Sequence, residues 1–141
     1  MPNQAQNPII PNQKSKVKMQ NDKEKFKKDF IKRLIRFSIE IIKFTEELKK
    51  NRIPWAIIDQ LIRSATSVGA NVVEAKSSSS KRDYIRFFEI ALKSANETKY
   101  WLILVREIYH SYNKKAQELL NEVEEISKII ASSILTLKGK K

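Results

Sequence analysis

The chain of 141 residues contains no cysteine. Disulfides, thiolate metal sites and cysteine nucleophiles are therefore excluded. Glycine occurs only 2 times and proline 4 times. A sheet protein of this length needs more turn punctuation, so long helices with few connections are favoured. No apolar run approaches the roughly 18 residues that a membrane span needs. The polar N-terminus, with Pro2, Pro8 and Pro11, also lacks the apolar stretch of a signal peptide. A cytoplasmic protein with no membrane partner is expected.

Positive charge is abundant. Lys and Arg number 28 against 16 Asp and Glu, giving a net charge of +12 and a pI near 9.9. Such a balance suits a polyanionic partner, with RNA or DNA ahead of acidic lipid. The competing reading is solubility combined with lysine's good helix propensity.

Residues 1–21 show no periodicity and are rich in Pro, Asn and Gln, turning basic at Lys14, Lys16 and Lys18. They read as a disordered tail. A helix is expected over 22–50, capped by Asn21 or Asp22. Its seam, Phe30, Leu34, Phe37, Ile41, Phe44 and Leu48, alternates four and three. Ile31, Ile35 and Ile42 form a second row, as in a helix that meets more than one neighbour. Pro54 fits the first turn of helix 2. That helix has the seam Ile58, Leu61, Ala65, Val68, Val72 and Ala75 and reaches about Lys76. Ser77 to Ser80 break the pattern, and Ser80 with Asp83 predicts a cap before Lys81.

Helix 3 carries Tyr84, Phe88, Ala91, Ala95, Thr98, Leu102, Val105 and Tyr109. Helix 4 carries Ala116, Leu119, Val123, Ile126, Ile130 and Leu137, before a frayed end at 139–141. Four seams joined by three short connections predict an all-α, antiparallel up-down-up-down four-helix bundle over 22–138.

Small residues concentrate on the central hairpin. Ala65, Gly69 and Ala70 are expected beside Ala91 and Ala95, allowing the two backbones a close approach. The run RSATSVGANVVEA, a polar turn and YIRFFEIALKSANET resemble the 23S rRNA intervening-sequence protein family. The positions carrying the likeness are Arg63, Ser64, Ala65, Asn71, Glu74, Ala75, Phe88, Ala91, Ser94 and Glu97. Ala75 stands where members often have glycine. The likeness extends over about 24–138. It implies an antiparallel bundle that assembles into a ring, often a pentamer, with no established catalytic activity. Some members are encoded within insertions in large-subunit ribosomal RNA genes. A distant relative, the accessory variability protein of diversity-generating retroelements, is basic and binds RNA and a reverse transcriptase.

Arg63, Asn71, Glu74 and Glu97 border the seams. Arg63 is expected to pair with Glu97 across the hairpin, and Asn71 with Arg86 or a neighbouring backbone, fixing helix register or subunit contacts. Glu107 and His110 form a Glu-x-x-His sequence, but a di-iron bundle needs two such motifs and the chain has one histidine. His110 suits the negative end of helix 3 better. No nucleophile elbow or phosphate-cradling glycine motif occurs. The expectation is therefore no catalytic residue, no metal and no cofactor.

At about 100° per residue, Lys25, Lys28, Lys32, Arg36, Lys43 and Lys50 fall within about 80° of helix 1, a stripe able to follow a phosphate backbone for roughly 35 Å. Lys76, Lys81, Arg82 and Arg86 cluster around the serine loop, where the start of helix 3 adds N–H donors. An ordinary solvated face is the plainer reading. The sequence as a whole points to a non-enzymatic basic homo-oligomer that binds RNA or another nucleic acid through phosphates. The alternative is an assembly or adaptor protein with a protein partner, and the least favoured reading is a metal-dependent enzyme.

Overall fold

A computed structural model describes residues 11–140. Four helices run in chain order: α1 (Pro11–Lys50), α2 (Trp55–Lys76), α3 (Lys81–Ile108) and α4 (Asn113–Leu137). A short 3-10 turn, His110–Tyr112, joins α3 to α4. Consecutive helices pack against each other and α4 returns to α1, closing the bundle. The alternating seams are the core. All six seam residues of α1 and all six of α2 are buried, as are Phe88 to Val105 of the α3 seam and Ala116 to Ile130 of the α4 seam. The polar side chains buried with them, Thr45, Ser64, Thr98 and Ser127, each donate to a carbonyl one turn back in their own helix. The hydroxyls are thus hydrogen-bonded without a partner across the core.

The start of α1 differs from expectation. Residues 11–21, read above as part of a disordered tail, are helical, and Asn21 and Asp22 lie inside the helix rather than capping it. Residues 12–29 are exposed, and Phe30 is the first to enter the core. A helix surrounded by water has no apolar seam, so periodicity cannot announce it. Its Lys, Gln, Met and Glu residues nevertheless have good helix propensity, and Pro11 opens it without wasting a backbone donor. Residues 1–10 of the expected tail lie outside the described residues.

The ends of the other elements follow from local chemistry. Ser80 accepts from the Asp83 N–H at 3.1 Å, as its spacing predicted. Arg52 turns the chain out of α1 with φ +60. Its N–H bonds Lys49 O and the Ile53 N–H bonds Leu48 O, each at 3.2 Å. Gly139, φ +71, performs the same turn after α4, with Lys140 N–H on Leu135 O at 2.9 Å. Residues 139 and 140 are therefore held in a cap and not frayed; Lys141 lies outside the described residues.

The small residues distribute unexpectedly. Ala65, Ala91 and Ala95 are fully buried on the α2–α3 hairpin, as expected. Gly69 instead faces α1: a Cβ built on it would lie 3.4 Å from Leu34 Cβ. Ala70 is exposed. Glycine thus serves the α1–α2 crossing and alanine the α2–α3 crossing. Ile35 and Ile42, given a second neighbour above, are exposed in the protomer together with Ile39 and, on α2, Val73.

Candidate nucleic-acid interface

Lys25, Lys28, Lys32, Arg36 and Lys43 are all exposed on α1. Among the described residues, Lys25, Lys28, Lys32 and Arg36 form no ion pair. Their charges point to solvent, with Asp29 and Glu40 beside them on the same helix. The isoleucines at 35, 39 and 42 run beside them, so this side of α1 is partly cationic and partly apolar. Lys50 pairs with Glu47 at 3.3 Å.

The second cluster sits at the α2–α3 turn. Lys76, Lys81 and Arg82 are exposed, while Arg86 lies 3.8 Å from Asp83. Lys76 and Lys81 meet residues of α1 and α4 that lie far from them in the sequence. The overhanging part of α1, the serine loop and the last turns of α4 enclose an open groove of about 1060 Å³. Lys23 and Lys27 reach it from α1 and Lys128 from α4. Its apolar wall includes Phe26, Phe30, Tyr84 and Phe88. Tyr84 stacks on Phe88 with ring centroids 5.0 Å apart, and Lys27 Nζ lies 6.0 Å from its ring centre. Burial, then the charge of Glu24, raises the Tyr84 phenol above its ordinary range. One signal for this groove was legible. Phe26 lies four residues before Phe30, one turn upstream of the seam and inside the helix expected over 22–50.

The polar motif residues do not pair as expected. Arg63 binds Asp59, one turn back on α2, with Nε–Oδ2 at 3.1 Å, not Glu97. Glu97 accepts from the Trp101 indole N–H at 2.9 Å. Asn71 donates to Ser67 O at 2.8 Å and Ser67 Oγ at 2.9 Å, not to Arg86. Arg63, Glu74 and Glu97 are exposed. Helical neighbours four residues apart are always within reach, so local pairs win over the cross-hairpin one. Across the hairpin, Ser94 Oγ donates to Ser67 Oγ at 2.9 Å. Helical spacing alone does not pair these two serines, which lie 27 residues apart.

Glu107 pairs with Arg106 at 3.4 Å, and His110 is exposed in the turn after α3. Among the described residues, no three His, Asp or Glu side chains converge. No helix there is long and apolar enough to cross a membrane.

Fold and surface together define a basic antiparallel four-helix bundle. The chain belongs to the 23S rRNA-intervening sequence protein family, whose model matches residues 27–132. A crystal structure from Bacteroides thetaiotaomicron, described as a protein of unknown function from the S23 ribosomal protein family, superposes with a TM-score of 0.71. It is 32% identical, and the match covers 74% of this chain and 97% of that one. A comparison with curated proteins finds no match.

Proposed function

We propose that this protein is a non-enzymatic, self-associating bundle that binds RNA through phosphate contacts. The exposed, unpaired row Lys25, Lys28, Lys32 and Arg36 carries this reading. Together with the net charge of +12, it forms a surface that attracts a polyanion and releases its counterions. The exposed Ile35, Ile39 and Ile42 beside it support self-association, because apolar side chains grouped on a surface favour burial against a partner. In a ring, each stripe would recur and the electrostatic attraction would multiply. A protein partner on that isoleucine row, with charge serving solubility, is the second reading. A cytoplasmic setting fits both.

Filter binding of a structured RNA between 50 and 200 mM salt tests the first reading. With four to six phosphate contacts, log K should fall against log salt with a slope of about −3 to −5. Replacing Lys25, Lys28, Lys32 and Arg36 with Gln should flatten the slope. No retention of RNA at the lowest salt would reject the reading, and a stoichiometric protein partner captured without nucleic acid would favour the second.

A further inference from the structure

The groove beside the serine loop has a composition that the outward stripe lacks. Its aromatic wall is not equally available. Phe30 and Phe88 are buried, and the half-buried Tyr84 stacks on Phe88 and has Lys27 Nζ 6.0 Å from its ring centre. Phe26 keeps 56% of its surface exposed and stacks its ring loosely on Phe30, with centroids 6.3 Å apart. Around these rings stand Lys23, Lys27, Lys76, Lys81 and Lys128, and Asp22 is the one acid among the lining residues.

The number of cations discriminates between ligands. A fatty acid or similar amphiphile carries one anionic head, which one or two lysines satisfy. Five lysines spread around an open groove match a chain with a charge on every unit. The exposed ring discriminates further. Aromatic side chains stack on the faces of bases, which a single strand presents and a duplex hides within its own stack. Stacking is also tolerant of sequence, consistent with a groove whose remaining polar lining is mainly serine hydroxyls.

We propose that this groove takes unpaired nucleotides of single-stranded RNA, with a base against Phe26 and the flanking phosphates on the lysines. The proposal rests on the nucleic-acid reading above and assigns a second surface to it. The stripe on α1 follows phosphates of any RNA, whereas the groove selects unpaired segments.

The test uses fluorescence anisotropy with the full chain, a labelled 12-nucleotide oligouridylate and a 12-base-pair RNA duplex, at fixed low salt. Phe26→Ala should weaken single-strand binding about tenfold, the scale of one lost base stack, and leave duplex binding unchanged. Phe26→Trp should restore it. Lys128→Ala, on an exposed side chain of α4, should lower the single-strand salt slope by about 0.7; it supplies an independent measure should Phe26→Ala fold poorly. Equal single-strand binding by wild type and Phe26→Ala, with an unchanged slope in Lys128→Ala, overturns the groove assignment while leaving the stripe in place. No binding of either RNA overturns both proposals. Oleate binding that depends on Phe26, with RNA binding unmoved, assigns the groove to a lipid and overturns the proposal.

Discussion

Arg33 on α1 grips Glu122 on α4 with two hydrogen bonds, Nε to Oε2 at 2.8 Å and Nη2 to Oε1 at 2.7 Å. This pair joins the first helix to the last across 89 residues of chain. The hydrogen bond to Glu122 is the main reason that the guanidinium titrates above its ordinary range; burial opposes it, and the charges of Glu122 and Glu125 add to it. Both side chains keep about a third of their surface, 32% and 35%, so solvent weakens the attraction. The two-pronged geometry still places the pair at the upper end of surface ion pairs. A double-mutant cycle with Arg33→Met and Glu122→Gln, read by urea unfolding, should give a coupling of about 0.5–1 kcal/mol. Additive single losses would mean that the pair does not fasten α4 to α1.

Arg52 holds a left-handed backbone, φ +60, that its Cβ disfavours. The surrounding bonds suit glycine equally well, since they use only main-chain groups. Arg52→Gly should stabilise the fold by about 0.5–1 kcal/mol after the greater freedom of the unfolded glycine is counted. The melting temperature should then rise by about 3 °C, followed by far-ultraviolet circular dichroism. A fall would contradict the strain argument.

Gly69 lies where α1 and α2 cross. An alanine Cβ would meet Leu34 Cβ at 3.4 Å, the edge of ordinary contact. Gly69→Ala should therefore be tolerated, because helix propensity gains about 1 kcal/mol. Gly69→Leu has no such room and should cost about 1–3 kcal/mol through overpacking. Chemical denaturation of the two variants distinguishes a real crossing from an incidental glycine. Equal stability would argue for an incidental one.

Glu40 and Lys115 form a second α1–α4 link at 3.0 Å. The hydrogen bond from Lys115, followed by its charge, holds the Glu40 carboxyl below the usual carboxylate range; burial opposes this and the charge of Lys43 assists it. The folded value thus lies below the unfolded one. The contribution is present above the unfolded value and is lost as pH falls through the folded value. Glu40→Gln should melt below wild type at about pH 7, and the gap should close towards about pH 2–3. A gap that persists in acid would assign the effect to packing instead.

A side chain's role is legible in the sequence where its own helix sets it. Phe30, Leu34, Phe37 and Ile41 repeat with a helical period, and the structure buries all of them. The Ser80 cap is similarly local, acting over three residues. Periodicity says which side of a helix is covered but not by which neighbour, and so Gly69 was assigned to α3 when it meets Leu34 of α1. The pairing of Arg63 with Glu97 failed for a related reason. Both charges had partners four residues away that required no tertiary fold. The groove was the least legible part. Phe26, Lys81 and Lys128 belong to three helices, and only the packed bundle brings them together.

The overhang of α1 is continuous with the part of the same helix buried from Phe30 onwards. Unwinding of the exposed stretch 12–29 can thus run inward until Phe30 anchors the helix. A ligand gripping this stretch would suppress that motion. Amide exchange across residues 12–26 should therefore report occupancy without a label, while amides deep in α2 and α3 serve as an internal clock that does not change.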